Sequence, residues 1–192
     1  MAEPQTSPPT SPAAAAPPAA GAAATRYTAT RAATTPGEIM RRAWARLAPL
    51  PGGRWLFSKL VGWKAPYTGS IRPRVEALEP GFCRVAIRER RALRNPFRSI
   101  HAVALLNAAE AASGLATLVA LPDDVRGIIT RLEIDYAKKA RGTIVAECRT
   151  APPAGIVGPT PHLADVVLTD EAGETVATAR ATWTLAPIPG SL

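Results

Sequence analysis

Glu110 is the only acidic residue between Ile100 and Leu121, the most apolar stretch of the chain. Wound as a helix, that stretch places Glu110, Ser113 and Thr117 within about 60° of one another, with Asn107 about 60° further round. One polar stripe therefore runs down an otherwise apolar rod. A buried carboxylate is costly unless it is paired or hydrogen-bonded, and its pKa rises, which suits a general base or a carboxylate nucleophile. A structural Glu bonded to an arginine, or set in a subunit interface, is an equally good reading of the pattern alone.

His101 is expected to open this helix, with Ser99 as its N-cap and Asn95-Pro96 as a turn dipeptide. The first backbone amides, near Ala102 and Val103, would point at a developing oxyanion. The competing role for a lone histidine is capping or packing. Glu110 follows His101 by nine residues, which in a helix is about 13.5 Å along the axis and about 180° round it. The two cannot act on one carbonyl within a single chain. If both are catalytic, they come from different subunits, and a two-fold dimer would carry two equivalent sites.

The surrounding pattern supplies the elements that would hold these residues. Pro36 to Leu47 has an N-cap candidate in Thr35, Pro at the first helical position and apolar Met40, Ala43, Trp44 and Leu47 at spacings of three and four, so a short amphipathic helix is predicted. After the break at Pro49 to Gly53, Trp55 to Lys64 mixes aromatic and basic residues. It either lies on a membrane surface or packs on the domain's own sheet. Ile71 to Glu79 and Phe82 to Arg90 read as a hairpin turning at Glu79-Pro80-Gly81, with Pro73 confining the first strand to an edge or a bulge. Eight alanines and Gly114 make the helix over Ile100 to Leu121 slim on every side, and a helix apolar all round is a buried one. Ile128 to Tyr136, Thr143 to Arg149, Ala164 to Asp170 and Glu174 to Leu185 read as strands, the last two joined at Glu171-Ala172-Gly173 and preceded by a loop over Ala151 to Pro161. The fold class is α+β: an antiparallel sheet of about six strands curled around one helix.

Composition narrows the function. The chain has 192 residues, Lys+Arg 23 against Asp+Glu 15, two cysteines and two histidines. Cys83 and Cys148 lack the spacing of a zinc or redox motif, and a disulfide scaffold is excluded. No run approaches the roughly 18 consecutive apolar residues of a membrane span, and the N-terminus lacks the order of a secretory signal. A reducing aqueous compartment is expected: the cytoplasm, or an organelle matrix if the N-terminal tail is a transit peptide. Residues 1–36 hold 13 Ala and 7 Pro and are read as a disordered tail, leaving 37–192 as a single domain. The net charge of +8 falls almost wholly on that domain. It fits an anionic partner without choosing one. Nucleic acid is disfavoured because the few aromatics cluster in the lead-in, away from the basic strands.

The run Asn95-Pro96-Phe97-Arg98-Ser99-Ile100-His101, continuing through Asn107-Ala108-Ala109-Glu110, resembles the hotdog-fold thioesterases. Within that superfamily it is similar to the thioesterase-like branch of unknown function related to phenylacetyl-CoA-type enzymes. These carry an Asn, a His six positions on and an acidic residue fifteen on from the Asn, which is the register of Asn95, His101 and Glu110. Trp63-Lys64-Ala65-Pro66-Tyr67, Ile71-Arg72-Pro73 and Pro80-Gly81-Phe82-Cys83 extend the likeness over roughly Pro36 to Leu185.

The resemblance implies an acyl-CoA or acyl-carrier-protein thioester hydrolase working as a homodimer or a dimer of dimers. Glu110 would be base or nucleophile, Asn95 would position water or thioester, and His101 would sit near the acyl carbonyl. An amide of Ala102 or Val103 would donate to the oxyanion, and Asn107, Ser113 and Thr117 would line the substrate. No cofactor is implied beyond the coenzyme A of the substrate. Arg90, Arg91, Arg94 and Arg98, and Lys138, Lys139 and Arg141, are the clusters that could meet its phosphates. The sequence departs from the pattern where Ala102 and Val103 replace two glycines after the histidine, where Arg98 replaces one before it, and where Pro96 follows Asn95. The alternative is a noncatalytic hotdog domain that binds acyl-CoA or lipid, with peripheral membrane contact through Trp55 to Lys64.

Overall fold

The computed structural model describes residues 35–189. All but the last two residues of the expected tail lie outside that range. Three helices lead in: α1 (Pro36–Leu47), α2 (Gly53–Lys64) and the short α3 (Pro66–Ser70). The hairpin β1 (Arg74–Glu79) and β2 (Phe82–Arg88) follows, then α4 (Ala102–Ala120), β3 (Val125–Tyr136), β4 (Thr143–Arg149), β5 (Thr160–Thr169) and β6 (Thr175–Pro187). The six strands form one sheet in the order β1-β2-β4-β5-β6-β3, antiparallel throughout. Pro73 falls just before β1, which is an edge strand, where its missing N–H costs no ladder bond.

The sheet curls around α4 because the contact is made of small residues. Ala108, Ala109, Ala112 and Ala116 of the helix and Ala164, Ala177 and Ala181 of the sheet are all buried. Where a large side chain intervenes, the helix gives way: a Cβ added at Gly114 would touch the Trp183 ring at 3.5 Å. By length and composition α4 could cross a membrane, unlike the expectation that no segment comes close, yet most of it is buried in the protein's own core. Interleaved small residues, rather than lipid, absorb its apolar surface.

Helix α1 starts as its sequence predicts, with Thr35 Oγ1 accepting from the Glu38 amide at 3.2 Å and Pro36 at the first position. Its Arg41 donates to the carbonyls of Val119 (3.1 Å) and Leu121 (2.9 Å), closing the C-terminus of α4. In α2 one face packs inward through Phe57 and Val61, with Phe57 edge-on to Trp44 at 5.0 Å. Ser58 on that face accepts the Val75 amide at 2.9 Å and so ties α2 to β1. The other face, bearing Trp55 and Trp63, stays exposed.

Several boundaries differ from the sequence reading, β1 among them, which starts at Arg74 rather than Ile71. Helix α4 begins at Ala102 with His101, not Ser99, as N-cap. Residues 99 and 100 are held extended, because the Ile100 amide donates to Ala140 and its backbone bridges to Arg94. Strand β5 starts at Thr160, ahead of Pro161 and within the expected loop, because His162 is buried opposite Trp183 in the ladder. Strand β3 starts at Val125 and carries a bulge between Ile129 and Arg131, which breaks the simple alternation that had placed its beginning at Ile128.

Candidate active site

The loop before α4 is built around Asn95. Its Oδ1 accepts the amides of Phe97 (3.0 Å) and Ser99 (3.2 Å), and its Nδ2 donates to Ser99 Oγ at 3.0 Å. The carboxamide thus closes its own turn, as Asn side chains do where a backbone partner is lacking. Pro96 fits that turn, having no N–H to satisfy. Arg98, at the position the family gives to glycine, has φ +57°. The glycine conformation is retained by a residue with a Cβ, at a strain of about 1 kcal/mol.

At the start of α4 the two candidate oxyanion donors separate. The Val103 amide donates to His101 Nδ1 at 3.2 Å, so the histidine acts as a cap and occupies that N–H. The Ala102 amide has no acceptor among the described residues. Ala102 lines a cleft of about 270 Å³ whose walls also include Asn95, Leu105, Tyr136 and Lys139. Tyr136, which the sequence reading passed over as one more strand residue, donates its hydroxyl to the Ala102 carbonyl at 3.1 Å. Burial pushes its phenol pKa up. The only sequence signal for it is an aromatic at the end of a strand, and the contact spans 34 residues.

The polar stripe of α4 splits by depth. Glu110 is half-buried, its pKa raised by desolvation, and its carboxylate has neither hydrogen bond nor ion pair among the described residues. Asn107 is buried, with Nδ2 donating to the Tyr67 carbonyl at 3.1 Å, which docks α3 on α4, while its Oδ1 has no partner. Ser113 is fully buried and bonds the Glu110 carbonyl at 3.1 Å. Thr117 is fully buried with its hydroxyl unpartnered. Neither Ser113 nor Thr117 lines the cleft at the start of α4. Asn95, Ala102 and Tyr136 are therefore brought together at one end of the helix, whereas Glu110 lies eight residues further on, about 12 Å along the axis.

The basic clusters are partly engaged. Lys138 is paired with Asp170 at 2.6 Å and with Glu174, and Arg94 with Glu89 at 2.6 Å. Arg90 donates to the Ser70 carbonyl while its Nε is buried without a partner. Lys139 remains on the cleft wall. No group of three or more potential metal ligands occurs among the described residues. Cys83 and Cys148 sit buried in the sheet, the latter with its thiol pKa pushed up to about 12 by burial, so it stays protonated.

A six-stranded antiparallel sheet wrapped around one central helix is the hotdog fold, shared with structures of the thioesterase superfamily. Within that class the chain belongs to the family described as Domain of unknown function (DUF4442), whose model matches residues 53–185. It is similar to PA5026 from Pseudomonas aeruginosa, described as a protein of unknown function and "Probable Thioesterase": 27% identity, TM-score 0.63, covering 72% of this chain and 97% of that one. A thioesterase family protein from Silicibacter pomeroyi matches at 18% identity and TM-score 0.59, over 68% of this chain and 96% of that one. The thioesterase HI1161 from Haemophilus influenzae matches at 13% identity and TM-score 0.56, over 65% and 85%. The last two bear on the fold alone. No curated protein matches the chain.

Proposed function

We propose that this protein hydrolyses an acyl thioester of coenzyme A or of an acyl carrier protein, at a site shared between two protomers. The observation that carries the reading is Glu110: a half-buried carboxylate on the core helix with no hydrogen-bond or ion-pair partner among the described residues. A structural glutamate in such a place would be expected to hold a cation or a donor. One left unpaired and desolvated has the raised proton affinity that suits a base or a nucleophile.

The thioester carbonyl would lie at the start of α4, where the Ala102 amide, without an acceptor among the described residues, could stabilise an oxyanion. Glu110 of the same chain is too distant to serve that carbonyl. The open edge of β3, twelve residues long and at the margin of the sheet, is suited to edge-to-edge pairing with a second copy. A two-fold pairing there would set one protomer's Ala102 against the other's Glu110. Glu110 would take a proton from water as the water oxygen adds to the carbonyl carbon, the C–S bond then breaking and the thiolate taking up that proton; or its carboxylate would add to the carbonyl and expel the thiolate, which solvent protonates, leaving an anhydride that water cleaves to the free acid and Glu110. Lys139 on the cleft wall would face the phosphates of the coenzyme or carrier arm.

The test is hydrolysis of short, long and aromatic acyl-CoAs by wild type and Glu110→Gln. Loss of general-base or nucleophilic function is expected to lower turnover by about 10²–10⁴-fold, with an unchanged circular dichroism spectrum and unchanged mass in solution. Equal turnover by the variant would remove Glu110 from the chemistry. Acyl-CoA binding without turnover by the wild type would favour the noncatalytic binding domain.

A further inference from the structure

Helix α2 carries a second feature, independent of α4. Trp55, Lys59 and Trp63 follow one another at intervals of four and so form a stripe on the side opposite Phe57 and Val61. Trp55 is 62% exposed, Trp63 71% and, on α3, Tyr67 68%. Two exposed tryptophans within one short helix are not accounted for by the core, which Phe57 and Val61 already complete. Lys59 Nζ lies 5.5 Å from the centre of the Trp55 ring and Lys64 Nζ 4.8 Å from that of Trp63, so each indole has an ammonium beside it.

Between this stripe and the lead into β1 runs an open groove of about 550 Å³, lined by Trp55, Lys59, Trp63, Arg72 and Arg74 among others. Its floor is low because Gly62 and Gly69 meet backbone to backbone; a Cβ at Gly69 would fall 2.5 Å from the Gly62 carbonyl. The charge of the molecule is concentrated here. Between Glu38 and Glu76 there are eight basic residues and no acidic one, which equals the entire net charge of +8. Arg41 and Arg42 are paired with Asp123 and Glu38. Lys59, Lys64, Arg72 and Arg74 have no carboxylate partner among the described residues.

We infer that the α2–α3 face docks on an anionic lipid bilayer, with Trp55 and Trp63 at head-group level and Lys59, Lys64, Arg72 and Arg74 against the lipid phosphates. The sign of the charge selects an anionic surface. The indoles and Leu56, 49% exposed, select one with an apolar layer beneath, because a soluble polyanion would leave them in water. This goes beyond the thioester reading and stands whether or not Glu110 is catalytic.

The full chain would be floated with phosphatidylcholine vesicles with and without about one-third phosphatidylglycerol, at low and high salt. Expected are binding to the anionic vesicles alone, weakening with salt, and a blue shift of tryptophan emission on binding. Trp55→Ser with Trp63→Ser should bind at least about ten-fold more weakly, and loss of the positive charge in Lys59→Gln should cost about five-fold. All three positions are exposed, and circular dichroism and melting verify the fold; if the tryptophan pair fails to fold, Lys59→Gln carries the test. Absence of binding to anionic vesicles at low salt overturns the inference. So does equal binding to neutral vesicles, or wild-type binding by the variants.

Discussion

Glu110 carries two opposed consequences of one environment. Desolvation raises its pKa above the ordinary carboxylate value, and a higher proton affinity makes the ionised carboxylate a stronger base. The same shift means that the folded protein binds its proton more tightly than the unfolded chain does. Glu110 therefore costs nothing below its unfolded pKa and destabilises progressively as pH rises through the folded one. Glu110→Gln lacks this term, so at neutral pH it should melt higher than wild type, and the difference should shrink toward acid. Thermal unfolding at a series of pH values measures it; a variant less stable than wild type at neutral pH would mean that the carboxylate has a stabilising partner. Turnover by the wild type should rise with pH across the same interval, since the base must be ionised to act.

At the scale of the element, α4 carries the candidate site residues, and its ends are held from outside. Arg41 of α1 satisfies two carbonyls at its C-terminus, and His101 caps its N-terminus. Helix α1 can approach so closely only through Gly37, where an added Cβ would lie 2.1 Å from the Leu118 carbonyl. The obstruction is backbone, which cannot swing aside as a side chain can. Gly37→Ala should thus force α1 off α4 and destabilise by about 1–3 kcal/mol, measured by denaturant unfolding. An unchanged midpoint would show that α1 contributes little to holding α4. The Ala-rich face of α4 follows the same logic from the opposite direction: small residues let the sheet close around it without voids.

At the scale of the whole molecule, the separation of Ala102 from Glu110 is the strongest reason to expect a two-fold assembly. Ala102→Pro provides a clean lesion, because Pro is favoured at the first helical position and His101 already has the extended backbone, φ −63° and ψ 139°, that precedes a proline. It removes the free N–H and little else. Ala102→Pro and Glu110→Ala should each abolish turnover as homodimers. Unfolded and refolded together, they should regain roughly a quarter of wild-type activity, since half of a random mixture is heterodimer with one intact site of two. No recovery, with heterodimers present, would place both groups within one protomer's site.

The sequence by itself determined the order of elements, the identity of the buried helix and the residues on its polar stripe, because these rest on local periodicity, turn chemistry and composition. Ala108 and Ala112 fall inside as the apolar helix requires. Tertiary structure alone decided what each polar residue does. Asn95 turns its amide onto its own loop, His101 takes the Val103 N–H and leaves that of Ala102 free, and Tyr136 reaches the Ala102 carbonyl from a strand more than thirty residues away. These choices depend on which partner lies within about 3 Å, a quantity set by the curl of the sheet and the packing of α4 rather than by any spacing along the chain.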